Sequence, residues 1–298
     1  MNTKLVEDIA AAVLYEGYLL YPYRASSIKN RQRWNFGVLY PPAYAEQQSG
    51  ADAWRSQTEC LVEAGAGAKL NVRVRFLQLN QSERQPGDSS AADERDLALL
   101  SLNVRKLTSQ PARLGVKFAP IEAEIEVTAT PLNGDLFKIN VSISNRTAFT
   151  GSTREDALKQ SLLSTHSILN IDGGEFISLL DPPQHLAGFA AGCNNVGTWP
   201  VLAGEPGQRD TMLSSPIILY DYPQIAPESP GALFDGTEID EILTLRIMTL
   251  TDREKLEMGL SDDRAREILE RTESMPPEQF MKMHGVLRGV RDVHKELP

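Results

Sequence analysis

Hydrophobic and polar positions change period along this chain, and the changes mark its elements. Leu5, Ile9, Ala12, Val13 and Leu20 recur at helical spacing with Glu7, Asp8 and Glu16 between them, which predicts a helix over 4–20. Pro22 ends it, because the residue before a proline is pushed out of helical geometry. Over 69–79 the period becomes two: Leu70, Val72, Val74 and Phe76 alternate with Asn71, Arg73 and Arg75, the pattern of a strand. Gly65 to Lys69 before it reads as a turn, and the polar stretch 81–96 as a surface loop. Ala123, Ile125, Val127 and Ala129 alternate with glutamates and Thr128, and Phe137, Ile139, Val141 and Ile143 alternate with Lys138, Asn140 and Ser142. These two runs predict a hairpin. A two-residue Asn133-Gly134 turn would set apolar against polar side chains. A three-residue loop, Leu132 to Gly134, sets Ala129 opposite Phe137, Val127 opposite Ile139 and Ile125 opposite Val141, with Gly134 at the left-handed position.

Further along, 154–163 reads as a helix. Residues 165–171 and 175–180 read as short strands around Asp172-Gly173-Gly174, and 181–211 as a long ordered loop. Ile217 to Tyr220 reads as a buried strand. After Pro223, Pro227 and Pro230, the pattern turns helical. Thr237 caps a helix with Glu238, Asp240 and Glu241 in its first turn, and Ile239, Ile242, Leu243, Ile247 and Leu250 form its apolar stripe. Thr251 to Glu254 fits a capping box, Ser261 caps a helix over 262–272, and Pro276-Pro277 opens one running to about Val290. The expected class is α+β: an antiparallel sheet with an N-terminal helix and a helical C-terminal region. The expected division is an α+β domain over 1–235 and a helical region over 236–298.

Composition narrows the chemistry. The 298 residues include 41% hydrophobic and 23% charged residues, an ordinary globular mixture, with a formal net charge of -10. That charge opposes general binding to nucleic acid or anionic lipid. Cys60 and Cys193 stand far apart, with no metal-finger or redox-motif spacing, as expected of reduced thiols. The early acids Glu7 and Asp8 argue against a secretory signal, and no apolar run reaches membrane-spanning length. The cytoplasm is therefore the expected location, and no membrane or nucleic-acid partner is expected.

Motifs for catalysis are scarce. No two histidines lie three or four apart on one helix, so His166, His185, Cys60 and Cys193 could ligate a metal only by converging in space; no metal site and no cofactor are expected. No nucleophile elbow is present. Gly65 to Lys69 precedes a strand, the wrong order for a phosphate loop. Asp221, Glu228, Asp235 and Glu238, with Asp240 and Glu241, form an acidic cluster that suits an acid–base pair, a hard-cation site, or plain helix capping on a solvated face.

One segment departs from the rest. Six of the eight tyrosines lie between residues 15 and 44, and no acid occurs between Gly17 and Ala45. Tyr23, Arg24, Lys29, Asn30, Arg31, Arg33 and Trp34 combine cations with aromatic rings. That is the composition of protein-interface anchors, of a single-strand nucleic-acid surface that the net charge disfavours, or of cations neutralising acidic groups elsewhere in the chain.

Three blocks carry a resemblance. They are Leu14 to Arg24 continuing through Lys29 to Trp34; Glu175 to Pro183; and Ser215 to Asp221, continuing through Ile225 to Gly231 and Asp235 to Glu241. These blocks resemble an uncharacterised family of bacterial proteins encoded beside actinobacterial-type [NiFe]-hydrogenase genes. The resemblance implies an accessory role in making or operating the hydrogenase, with no active site to carry over. The leading expectation is a non-enzymatic accessory protein that binds a hydrogenase subunit or maturation factor. The alternative is a small-molecule enzyme or metal-handling protein using the 220–241 acidic cluster and His166.

Overall fold

The computed structural model describes residues 3–14, 36–48, 52–79, 92–149 and 151–224, and within 250–274 residues 250–253, 255, 256, 266, 269, 270 and 272–274. A helix, α1 (Thr3–Leu14), comes first, then a short α2 (Pro42–Gln47). Strand β1 (Arg55–Leu79) follows, 25 residues long. Next come β2 (Ala92–Asn103), a 3-10 turn over Lys106–Thr108, β3 (Ala112–Phe118), β4 (Ile121–Asn133) and β5 (Leu136–Asn145). A short α3 (Arg154–Leu158), β6 (Leu163–Ile177), α4 (Ala187–Ala191), β7 (Trp199–Leu202) and β8 (Thr211–Ser215) complete the order.

All eight strands belong to one antiparallel sheet in the order β3-β4-β5-β1-β6-β8-β7, with β2 also on β1. Strand β1 holds it together. Its first half, Arg55 to Glu63, pairs with β5, and its second half, Lys69 to Leu79, pairs with β2. Strand β6 runs along its other edge from Leu61 to Leu77. Between Ala64 and Lys69 the register slips opposite Gly173, whose φ is +76°, a backbone region that favours glycine.

The alternation of β1 sends Val62, Ala64, Leu70, Val72, Val74 and Phe76 into the main core, where β4 contributes Ile125 and Val127, and β5 Ile139 and Val141. The sheet curls so that β3 returns over the end of β1. Phe76 and Phe118 meet edge to face at 6.3 Å, and the Gln78 side-chain amide donates to the Phe118 and Ala119 carbonyls at 3.1 Å each. At the other end, a chain of buried hydroxyls joins Thr58 of β1 to Ser214 of β8 (2.7 Å) and Ser214 to Thr198 (2.5 Å). Helix α1 covers the opposite face, burying Val6, Ile9 and Ala10 against Ile168, Val201, Leu213 and Leu219.

The structure overturns the expected class. The protein is predominantly β, a large antiparallel sheet with few and short helices, rather than α+β with a helical C-terminal region. After Leu250, helical geometry among the described residues is confined to fragments within 252–256 and 266–273; most of 236–298 lies outside them. Caps and apolar stripes are local signals that position helix ends, whereas fold class follows from long-range pairing.

Other expectations are corrected in detail. Gly65 to Lys69 is not a turn but part of β1, and 165–180 holds one strand, β6, running through Gly173-Gly174. The loop expected over 181–211 contains α4 and β7. The expected helix over 154–163 shortens to α3. The strand expected at Ile217–Tyr220 is displaced to Thr211–Ser215; Leu219 is buried, while Ile218 and Tyr220 are 73% and 84% exposed. The N-terminal helix is present as α1. The hairpin is present with the expected faces but shifted by two residues: Val127 pairs with Val141 and Ala129 with Ile139. A register irregularity between Pro131 and Asn133 makes the shift, and Gly134 takes φ +57° in the turn.

Val127 has no exposed surface and sits among the facing residues of β5. Val127→Asp would bury an unpaired carboxylate there, and a loss on the order of 3–5 kcal/mol is expected. A chemical-denaturation midpoint unchanged from the parent protein would contradict this assignment of the face.

Candidate partner-binding surface

The segments that carry Leu180 and Tyr220 are placed by a few partly buried polar groups. Ser178, next after β6, accepts the Leu180 and Asp181 amides at 3.1 and 2.8 Å and donates its own hydroxyl to Asp221 at 2.5 Å. The second oxygen of Asp221 accepts the Leu202 amide at 2.8 Å, and the Tyr222 amide donates to the Leu202 carbonyl at 2.7 Å. Asp221 thus fastens three segments: the turn after β6, the end of β7, and the chain beyond β8. Leu180 and Tyr220 are carried outward on two of them.

Trp199 opens β7 opposite Ser215 of β8, and the Ser215 hydroxyl donates to the Ile217 carbonyl at 2.8 Å, turning the chain so that Ile218 faces out. Helix α4 buries Leu186 and Ala190 against Leu61, Leu136 and Ile177, and leaves Phe189 at the surface. Val196 forms a bridge to Gln57 through both backbone groups.

Glu59 anchors the loop between α4 and β7. This nearly buried carboxylate accepts from Lys138 at 3.0 Å, Asn140 at 3.3 Å and the Asn194 amide at 2.8 Å, and its own amide donates to the Asn195 side chain at 2.7 Å. Burial alone would raise its pKa. The Asn194 amide, Lys138 and Asn140 together outweigh that and hold it below the usual carboxylate range. Cys193 of this loop is raised to about 11, chiefly by burial, and burial pushes the Cys60 thiol up as well. Both cysteines are free thiols.

The outcome is a concentration of exposed apolar side chains. Of the nine large apolar residues exposed among the described residues, six fall between Leu180 and Tyr220: Leu180, Phe189, Val196, Trp199, Ile218 and Tyr220. Sequence reading missed Ile218 and Tyr220 because Ile217 to Tyr220 is a continuous apolar run, which looks like a buried strand; Phe189, Val196 and Trp199 lie in a stretch that reads only as a loop, and Leu180 at the end of an expected strand. Pro216 and Pro223 flank that run, and flanking prolines were the available signal against a strand.

The residues singled out from sequence fare differently. Tyr23, Arg24, Lys29, Asn30, Arg31, Arg33 and Trp34 lie outside the described residues, as do Glu228, Asp235 and Glu238. Asp221 is described, and its oxygens serve as a structural tie. His166 sits elsewhere, buried on β6 opposite Arg75 of β1, so the structure does not join it to Asp221. Its Nδ1 donates to the Ser164 carbonyl at 2.9 Å, which leaves Nε2 as a buried lone pair without a partner. Beside it run the ion pairs of Arg73 with Glu7 and Asp96, and of Arg75 with Glu94 at 3.4 Å. Among the described residues, no three His, Cys, Asp or Glu side chains group as metal ligands, so Cys60, His166, His185 and Cys193 do not form one ligand set. No described helix is long and apolar enough to cross a membrane. Compared with known proteins, the chain matches no family model and no curated protein.

Burial lowers the His166 imidazole from 6.5 to about 4, assisted by Arg75 and Arg73 and opposed by the Ser164 carbonyl and Asp96. The unfolded chain therefore binds the extra proton first. The stability tied to neutral His166 is complete above about pH 6.5 and is lost as the pH falls toward 4. Replacing it, as in His166→Gln, removes about 3 kcal/mol of that pH dependence, read as the difference between urea midpoints at pH 7 and pH 4 in variant and parent. Glu59→Ala strands Lys138 and releases the Asn194 amide, loosening the Cys193–Asn194 end of the loop while Val196 stays bridged to Gln57. It is expected to cost about 2–4 kcal/mol and to expose Cys193 to thiol reagents at a faster rate than in the parent. Unchanged labelling would show that the loop is held by other means.

Proposed function

We propose that this protein is a non-enzymatic accessory protein that binds a protein partner, a hydrogenase subunit or a hydrogenase maturation factor, in the cytoplasm and away from nucleic acid and membranes. One observation supports the binding role: exposed Leu180, Trp199, Ile218 and Tyr220 are carried on segments tied to β7 and β8. Scattered surface hydrophobes are ordinary, but a concentration that includes tryptophan and tyrosine marks an interaction surface. The choice of partner comes from the three sequence blocks that resemble proteins encoded beside hydrogenase genes. Two of those blocks, Glu175 to Pro183 and Ser215 to Asp221, supply Leu180, Ile218 and Tyr220. The test is direct binding of the purified chain to each purified hydrogenase subunit and maturation protein, together with hydrogenase activity in a deletion strain. A complex of micromolar affinity or tighter is expected with one of them, and reduced activity that the restored gene recovers. Full activity in the deletion strain and no complex with any of these proteins would refute the reading.

A further inference from the structure

We propose that the surface between Leu180 and Tyr220 docks a cationic, apolar segment of its partner, and does so through side chains rather than by adding a strand; this rests on the protein-binding role above. The charge around the apolar residues selects the occupant. From Phe176 to Gln224 the chain carries Asp181, Glu205, Asp210 and Asp221 but only one Lys or Arg, Arg209. Leu180, Trp199, Ile218 and Tyr220 therefore sit in a stretch with four carboxylates against one guanidinium, on a protein of net charge -10. Lys138, the cation that reaches this side from β5, is held by Glu59 at 3.0 Å. A partner segment with lysine or arginine among its apolar residues complements such a surface and is steered toward it, while an acidic one is repelled.

The backbone of β7 decides the mode. Ala203 donates to Thr211 of the inner neighbour, so Leu202 points its N–H and C=O outward, and Asp221 and Tyr222 already occupy both. Pro200, two residues earlier, faces the same way and has no N–H. The outer edge of β7 thus offers no amide for a new strand, so recognition falls to the exposed rings and aliphatic groups.

The test uses the full chain and two synthetic amphipathic peptides of equal length that share their leucine and tryptophan positions, one with lysine and one with glutamate elsewhere. Binding is followed by fluorescence anisotropy, alongside the double variant Ile218→Ser/Tyr220→Ser. Both positions are highly exposed, so the variant is expected to melt with the parent. The lysine peptide is expected to bind at least about tenfold more tightly than its glutamate twin, to weaken at high salt, and to lose about tenfold in affinity with the variant. Equal binding of the two peptides, or unchanged binding by a variant that folds normally, overturns the proposal. So does sedimentation showing that the parent self-associates while the variant is monomeric, since the occupant would then be a second copy. A hydrogenase protein that binds parent and variant alike removes this surface and leaves the accessory role standing. Selective peptide binding with no hydrogenase protein bound removes the accessory role and leaves the surface.

Discussion

The pairing of β1 along both of its edges is the constraint on which the rest depends. One 25-residue strand serves β5 with its first half, β2 with its second half and β6 along its other side. A strand paired on both edges leaves few backbone groups without partners, and its period-two alternation fixes which face of each neighbour is buried. The core on one face and the seat of α1 on the other follow from that alternation. The slip between Ala64 and Lys69 opposite Gly173 divides the halves, so that β5 and β2 share one edge without colliding.

A curled sheet of this length needs its ends secured, and polar groups supply the ties. Gln78 holds the return of β3, and the hydroxyls of Thr58, Ser214 and Thr198 close the other end. Glu59 and Asp221 hold the two irregular segments that flank β7. Each is a buried or half-buried acceptor with several donors, the arrangement in which a buried polar group stabilises rather than costs. The loops between Leu180 and Tyr220 are therefore irregular in backbone yet fixed in place, and their apolar side chains are presented to solvent instead of collapsing onto the core.

The two titratable groups that drew notice in the sequence illustrate how burial assigns roles. Asp221 spends both oxygens on backbone and hydroxyl donors, which makes it a fastener. His166 is kept neutral beside two arginines, with its one N–H committed to Ser164. Neither has the shared site that acid–base chemistry requires. The surface around β7 has another character: carboxylates that set its charge rather than pair for catalysis, and exposed apolar side chains of the kind that partners bury.

What the sequence determined by itself were features of short range. Helical spacing near Leu5 to Val13, the alternation of Val72, Val74 and Phe76, and the facing runs of the hairpin all reappear as α1, β1 and β4–β5. The period of side chains is a property of the local backbone and needs no knowledge of the partner strand. The tertiary structure alone decided the register of that hairpin, two residues from expectation, because a single irregularity at Leu132 shifts every later pair. It also decided that Gly65 to Lys69 continues a strand: glycine permits a turn, but Ala64 and Lys69, on either side of the slip, both pair with β6, and the chain runs on between them. The candidate surface was hidden for the same reason. An apolar run such as Ile217 to Tyr220 reads as buried until the ties of Ser215 and Asp221 set its orientation, and those ties join residues up to 43 positions apart. Local periodicity says which side chains share a face; only the assembled sheet says whether that face meets the core or water.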